Sequence, residues 1–203
     1  MVIGVDFDNT IVCYDRLFYQ LALERAWIPA SLPADKASVR DYLRAAGREA
    51  DWTELQGWAY GSRIGEALPF PGVREFFQRC RERAVTVCVI SHKTRLPVRG
   101  PQVDLHQAAR RWLETQGFLD PAGIGLPWKQ VFFAETQAGK LERIVAQQCT
   151  HFIDDLPEFL QGSGFPSGVE RWLFDPRERH AGQVPFRCLS SWPQLSEQLL
   201  ERT

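Results

Sequence analysis

Short apolar runs alternate with amphipathic segments along most of the chain. Five runs rich in Val, Ile and Phe are predicted to be buried strands, and they span residues 2–8, 86–91, 130–135, 151–155 and 171–175. Segments with helical periodicity follow these strands, at residues 73–83, 105–116, 139–148 and 190–202. Asp104 and Gly117 are the predicted N-cap and stop of the second of these helices. Strand and helix in alternation predict a parallel sheet covered by helices on both faces.

One long stretch interrupts the alternation. No strand pattern occurs between residues 15 and 70, where helical patterns cover residues 17–27, 38–46 and 51–67. Ser38 and Asp51 are the predicted N-caps of the last two of these helices. We therefore predict a core formed by residues 1–14 and 71–203, with residues 15–70 inserted after the first strand as a small helical cap.

Composition and charge exclude several classes of protein. The chain has 203 residues, of which 44% are hydrophobic and 24% charged, and its formal net charge is −1. These values are typical of a globular protein and provide no basic surface for nucleic acid. Five scattered cysteines without Cys-x-x-Cys spacing argue against a structural zinc site and a disulfide framework. Without a transmembrane run or a signal peptide pattern, we expect a cytoplasmic protein with neither nucleic-acid nor membrane partners, and the oligomeric state stays open.

Polar side chains stand at the ends of three predicted strands. They are Asp6 and Asp8, with Thr10 beyond them, then Ser91, His92 and Lys93, and finally Asp154 and Asp155. Ligands of open parallel sheets bind at the carboxyl ends of the strands. Carboxylates gathered there raise one another's pKa unless a cation lies among them, and Mg²⁺ prefers oxygen ligands. The sequence therefore predicts a Mg²⁺ site at this edge.

These motifs together resemble the haloacid dehalogenase (HAD) superfamily of phosphatases. "DFDNT" at residues 6–10 resembles the Asp-x-Asp-x-Thr signature, "VISHK" at 89–93 the second motif and "FIDDLPEF" at 152–159 the fourth. The third motif is a lone lysine, which fits Lys140 in "AGKLERI", fourteen residues ahead of Asp154. Lys93 is a weaker match, because it follows the Ser91 strand directly. The resemblance covers the core in order and implies a Rossmann-like three-layer α/β fold.

The resemblance also implies a role for each motif residue. Asp6 would be the nucleophile that forms an aspartyl-phosphate, and Asp8 the general acid and then the general base. The residues implied in substrate binding are Thr10, Ser91, His92 and Lys140, and those implied in Mg²⁺ binding are Asp6, Asp8, Asp154 and Asp155. Asp8 would contribute its backbone carbonyl, and the sequence leaves open which of the last two ligates the metal directly.

An acidic residue at position 8 favours chemistry in which a proton moves to a leaving oxygen. We therefore predict a Mg²⁺-dependent phosphomonoester hydrolase acting on a small phosphorylated metabolite, a sugar phosphate or a nucleotide. The alternatives are a phosphomutase of the same superfamily and a non-catalytic phosphometabolite-binding protein. In the loop at residues 93–102, Lys93, Arg95 and Arg99 either meet a second anionic group of the substrate or form a solvated charged loop.

Overall fold

The computed structural model describes residues 1–201, so the last residue of the predicted helix at 190–202 lies outside the described residues. Its strands are β1 (Val2–Val5), β2 (Val12–Cys13), β3 (Leu68–Pro69), β4 (Thr86–His92), β5 (Val131–Ala134), β6 (His151–Asp154), β7 (Glu170–Phe174) and β8 (Arg187–Leu189). Its α-helices are α1 (Asp15–Glu24), α2 (Lys36–Ala45), α3 (Glu49–Gly57), α4 (Val73–Glu82), α5 (Leu105–Thr115), α6 (Gln137–Ala146), α7 (Pro157–Gln161) and α8 (Trp192–Leu200). None of the helices within residues 1–201 combines the length and the apolar composition needed to cross a membrane.

The chain divides into two compact units. The first comprises Met1–Ile11, Pro69–Lys93 and the chain from Gly117 onward, and the second comprises Val12–Leu68 and Thr94–Gln116. Residues 94–116 thus belong to the second unit, whereas the sequence analysis assigned them to the core. The helix in this segment, α5, was itself predicted, and its N-cap Asp104 accepts a hydrogen bond from the backbone N–H of Gln107 as expected.

A six-stranded parallel sheet forms the centre of the first unit. Its strand order is β5-β4-β1-β6-β7-β8. The five predicted strands are all present, and β8 was not predicted because it is only three residues long. In the register of the sheet, Val5 of β1 pairs with Val89 of β4 and with Ile153 of β6. The carboxyl ends of these three strands therefore meet at one edge, where the sequence placed its polar residues.

Helices cover both faces of this sheet. Successive strand residues point to opposite faces, so Leu173 and Phe174 of β7 belong to different layers. Leu173 packs in a cluster with Ile144 of α6 and with residues of α7. The ring of Phe174 lies 5.5 Å from that of Trp192 in α8, which in turn lies 5.0 Å from the ring of Phe76 in α4. The three-layer α/β architecture predicted from the sequence is confirmed.

The second unit is mainly helical, and its helices α1, α2 and α3 each begin two residues earlier than expected. The N-cap of α2 is Asp35, whose carboxylate accepts from the backbone N–H of Ser38 at 2.8 Å. The prediction of Ser38 as N-cap was therefore wrong, because the chain is already helical from Lys36 and Ser38 lies within the first turn. The helix α3 begins at Glu49 after Arg48, so Asp51 is an acidic residue of its first turn and not its cap.

The predicted helix at 51–67 is broken. After α3, a π-helical turn (Trp58–Ser62) and a 3₁₀ turn (Ile64–Glu66) follow, and Gly61 within the first turn has non-helical backbone angles. A Cβ atom on Gly57 would overlap the carbonyl oxygen of Arg99, so residues 94–104 pack closely on α3. The indole N–H of Trp112 in α5 donates to the carbonyl of Ala67 at 2.9 Å. These contacts explain why residues 94–116 join the second unit.

Candidate active site

The segment after β1 forms a tight turn that fixes two carboxylates. The backbone N–H of Asp6 continues the sheet by donating to the carbonyl of Ile153 at 2.9 Å. The chain then reverses, and the N–H of Ile11 donates to the carbonyl of Phe7 at 3.0 Å. Asn9 has a φ of 59°, a left-handed conformation that Asn tolerates better than most residues. The sequence of this turn is therefore suited to holding its acidic residues at the sheet edge.

Lys140 bridges two of the predicted site residues. It lies in the first turn of α6, which is capped by the side chain of Thr136, and only 2% of the residue is exposed. Its Nζ donates to Oδ1 of Asp6 and to Oδ2 of Asp154, each at 2.6 Å, and lies 4.2 Å from the ring centroid of Phe159. One buried ammonium thus serves two buried carboxylates.

This sharing leaves the carboxylates short of positive charge. Burial is the largest influence on Asp6 and, with the repulsion of Asp154 added and the attraction of Lys140 opposing it, raises the pKa of Asp6 to about 7. Burial lowers the pKa of Lys140, but the carboxylates of Asp154 and Asp6 outweigh that effect and hold it above its ordinary value. The lysine therefore stays protonated, while ionised Asp6 is costly without a further cation.

A third carboxylate completes a group with the spacing of a metal site. Oxygen atoms of Asp6, Asp154 and Asp155 all lie within 4.8 Å of one another. Oδ1 of Asp154, the oxygen that Lys140 does not contact, accepts a hydrogen bond from the backbone N–H of Leu156 at 2.9 Å. The hydroxyl of Thr10 donates to Oδ1 of Asp155 at 3.4 Å. A set made only of oxygens suits a hard divalent cation. The predicted metal residues are brought together here, except that the carboxylate of Asp8 is not a member of this group.

The Asp8 carboxylate is instead paired with a second buried lysine. The Nζ of Lys93 donates to Oδ1 of Asp8 at 2.9 Å and to Oδ2 at 2.8 Å. The Lys93 side chain is 3% exposed and that of Asp8 is 18% exposed. The sequence analysis took Lys93 as a weaker match than Lys140 to the third motif and as a residue of the loop at 93–102, and so it missed this pair. The sequence did contain one signal for Lys93. Only four of the 24 basic residues are lysines, so a lysine directly after a motif strand is unusual in this chain.

The remaining predicted residues lie at the carboxyl end of β4 or just after it. Ser91 is 1% exposed, and its Oγ has no hydrogen-bond partner within the described part of the chain. A buried hydroxyl without a partner is costly, so Ser91 is suited to contacting a ligand oxygen. His92 is exposed, with its Nε2 3.2 Å from the carbonyl oxygen of Glu135. Arg95, a residue of the loop at 93–102, pairs with Asp104 at 3.1 Å in the second unit.

Comparison with known proteins places this geometry in a structural context. No family model and no curated protein sequence matches the chain. A HAD family hydrolase from Deinococcus radiodurans, solved with phosphate and sodium bound, is similar in structure, with a TM-score of 0.64, 14% identity and coverage of 98% of this chain and 95% of its own. A HAD-superfamily hydrolase from Ehrlichia chaffeensis has a TM-score of 0.58 at 12% identity, covering 98% of this chain and 96% of its own.

A third similar structure is a phosphoserine phosphohydrolase-like protein from Francisella tularensis. Its TM-score is 0.55 at 12% identity, and the match covers 98% of this chain and 99% of its own. At such low identity the likeness concerns the fold, and it extends over nearly the whole chain in all three cases. The fold of this protein is therefore that of the haloacid dehalogenase superfamily, as its motifs predicted.

Proposed function

We propose that this protein is a Mg²⁺-dependent phosphomonoester hydrolase acting on a small phosphorylated metabolite. The observation that carries the proposal is the shared ammonium of Lys140, which lies 2.6 Å from both Asp6 and Asp154. Two carboxylates share this one ammonium, and an oxygen of Asp155 lies within 4.8 Å of oxygens of both. A divalent cation would offset the repulsion among these carboxylates.

The residues present fit Mg²⁺ by the chemistry of their donors. Asp6 and Asp154 would hold the ion, Asp155 would complete its shell directly or through water, and the backbone carbonyl of Asp8 would add a further oxygen. Bound Mg²⁺ would offset the repulsion between the Asp6 carboxylate and an approaching phosphate ester. Since carboxylate and carbonyl oxygens are the ligands that Mg²⁺ prefers, no residue of another type has to be invoked.

The proposed reaction proceeds in two displacements at phosphorus. In the first, an Asp6 oxygen bonds to phosphorus as the bond to the leaving oxygen breaks, and Asp8 gives that oxygen its proton. In the second, Asp8 takes a proton from water, whose oxygen bonds to phosphorus as the bond to Asp6 breaks. Inorganic phosphate leaves, and both carboxyl groups return to their starting states.

Two further groups would bind the phosphoryl oxygens that do not react. The Oγ of Ser91 is buried and has no partner among the described residues, so a phosphoryl oxygen would satisfy it. Lys140 carries a charge that such an oxygen would share. The phosphate held by the similar Deinococcus radiodurans protein supports this assignment of the site to a phosphate ester. His92 and Thr10 remain proposed contributors, the first at the edge and the second through its bond to Asp155.

Phosphate release from a panel of sugar phosphates and nucleoside monophosphates, with Mg²⁺ or with EDTA, tests the proposal. The comparison is between the wild type, Asp6→Asn and the control Asp41→Asn, which changes an exposed aspartate of the second unit. We expect Mg²⁺-dependent release that persists in the control and falls on the order of 10⁵-fold in Asp6→Asn, as for loss of a nucleophile.

The alternatives predict other outcomes of the same panel. Conversion of a substrate into its positional isomer without net phosphate release would identify a phosphomutase that uses the same Asp6 chemistry. Binding of phosphate esters by a folded protein, with neither release nor isomerisation, would contradict the enzyme assignment and favour a binding protein.

A further inference from the structure

We infer that Lys93 is a positioning residue that holds the Asp8 carboxylate in place for proton transfer. The inference rests on the proposed function, in which Asp8 is the proton donor and acceptor. It adds to that site a residue outside the set of nucleophile, metal ligands and phosphate-binding groups.

The contact between the two side chains restricts the Asp8 carboxylate. The ammonium of Lys93 lies within hydrogen-bond distance of both of its oxygens, at 2.9 and 2.8 Å. Contact with both oxygens opposes rotation of the carboxylate as well as its displacement, and charge-assisted hydrogen bonds are among the stronger ones. Asp8 is partly exposed, so neighbouring side chains alone do not enclose it. Lys93 therefore provides an orientation that burial does not.

Lys93 is itself held firmly. Its backbone N–H donates to the carbonyl of Ala134 at 2.8 Å, which extends the pairing of β4 with β5 by one residue. Its Nζ lies 5.5 Å from the ring centroid of Phe7, and that ring packs edge-on against Phe133 at 5.5 Å. With its side chain 3% exposed, Lys93 is not part of a solvated loop. Its burial also makes it poorly placed to bind a second anionic group, the other role that the sequence left open.

The two buried lysines thus serve different carboxylates. Lys140 contacts Asp6 and Asp154, whereas Lys93 contacts Asp8. The proton donor must point at the leaving oxygen while the nucleophile beside it reacts, and a misplacement of about 1 Å in such a geometry costs on the order of 10²-fold in rate. Because Asp8 is held by Lys93 and not by Lys140, its orientation need not change when Lys140, Asp6 and Asp154 bind a ligand.

Dependence on the leaving group separates positioning of Asp8 from a merely structural role. An alkoxide leaving group needs the proton of Asp8 as its bond breaks, whereas p-nitrophenolate departs well without one. The experiment measures kcat/KM with Mg²⁺ for the best alkyl phosphate of the panel and for p-nitrophenyl phosphate. The variants are Lys93→Met, Lys93→Arg and, as a matched control, Lys129→Met, which changes an exposed lysine of the same unit.

We expect Lys93→Met to lose about 10²-fold in kcat/KM with the alkyl phosphate and less than about 10-fold with p-nitrophenyl phosphate. Lys93→Arg, which keeps a cation able to contact both oxygens, should recover part of the loss with the alkyl phosphate. Equal losses with both substrates would overturn the inference, because misfolding or weaker metal binding acts on both alike.

A double variant keeps the inference testable if Lys93→Met folds poorly. Asp8→Asn combined with Lys93→Met removes both charges, so no buried ion is left unpaired. If Lys93 acts through Asp8, the double variant has the same kcat/KM as Asp8→Asn alone, and a further loss of more than about 10-fold would contradict the inference. A wild type that releases no phosphate from any ester would overturn the proposed function itself, a result distinct from equal losses in an active enzyme.

Discussion

The two buried lysines of this protein make an instructive pair. Both lie in the first unit, and both are at least 96% enclosed. Lys140 divides one charge between two carboxylates, Asp6 and Asp154, whose group also includes Asp155. Lys93 contacts both oxygens of one carboxylate, that of Asp8. In these contacts Lys140 meets two carboxylates with one ammonium, whereas Lys93 meets one.

This difference between the two lysines indicates which carboxylates would bind a further cation. Both oxygens of Asp8 already accept hydrogen bonds from Lys93, so we expect an additional cation to stabilise this pair less. In the Lys140 group the effect of sharing is visible in Asp6, whose pKa burial and Asp154 together raise to about 7 although Lys140 opposes them. We therefore expect Mg²⁺ to act on the stability of the two groups very differently.

The largest expected effect is that of Lys140→Met. This change leaves Asp6 and Asp154 buried without their ammonium, and breaking a buried ion pair costs about 3–5 kcal/mol of unfolding free energy. Because Mg²⁺ would replace the lost charge, we expect part of the loss to be recovered when EDTA is exchanged for Mg²⁺. Urea denaturation of this variant and of the control Lys129→Met under both conditions measures the effect. If Lys140→Met lost the same unfolding free energy in Mg²⁺ as in EDTA, the proposal that Mg²⁺ binds at the Lys140 group and not at Lys93 would be contradicted.

Lys93→Met should destabilise the protein less and without a response to Mg²⁺. The Asp8 side chain is 18% exposed, so water can solvate it when its partner is lost, and we expect about 1–3 kcal/mol. The same urea denaturation experiment gives the value in EDTA and in Mg²⁺. The contrast between the two lysines would be contradicted if Mg²⁺ restored the unfolding free energy of Lys93→Met as much as that of Lys140→Met.

Ser91→Ala should separate binding from stability. Its Oγ is buried and has no partner within residues 1–201, so deleting it should raise the unfolding free energy by about 1 kcal/mol. If the hydroxyl binds a phosphoryl oxygen, inhibition by inorganic phosphate should weaken about tenfold, the equivalent of about 1.4 kcal/mol. A large loss of stability together with unchanged phosphate inhibition would show that the hydroxyl has a structural partner instead.

Asp175 offers a contrasting buried carboxylate just beyond β7. Burial raises its pKa, but the backbone N–H groups of His180 and Arg179 outweigh burial and hold the pKa below the ordinary value of 3.8. A depressed pKa stabilises the fold fully above the unfolded value and loses that contribution as the pH falls through the folded value. Asp175→Asn should therefore cost about 1 kcal/mol near neutral pH.

The pH dependence of that cost provides its check. Urea denaturation at neutral pH and near pH 3.8 should show the difference between wild type and Asp175→Asn shrinking in acid, whereas the exposed control Asp41→Asn should show little difference at either pH. A difference that grew as the pH fell would contradict the assigned direction of the pKa shift.

Much of the fold could be predicted from the sequence because local patterns decide it. The apolar runs of β1, β4 and β6 end in Asp or Ser, and in a parallel sheet such ends share one edge. The break at Gly61 was not predictable from local sequence, because a Cβ atom there would overlap the side chain of Val103, far along the chain. Lys140 was found from its position relative to a motif, whereas the role of Lys93 depends on its approach to Asp8, which no spacing encodes.

The central claim is that the two carboxylates have different roles, Asp6 as the nucleophile in contact with Lys140 and Asp8 as the proton donor and acceptor in contact with Lys93. The most direct test is peptide mass spectrometry of protein quenched in acid during turnover with Mg²⁺, on the wild type and on Asp8→Asn. The account predicts a phosphoryl group on Asp6 in both proteins, with more of it in Asp8→Asn, where water attack on the intermediate is slowed. A phosphoryl group on any other residue, or no phosphorylated peptide from an Asp8→Asn protein that still consumes substrate, would contradict it.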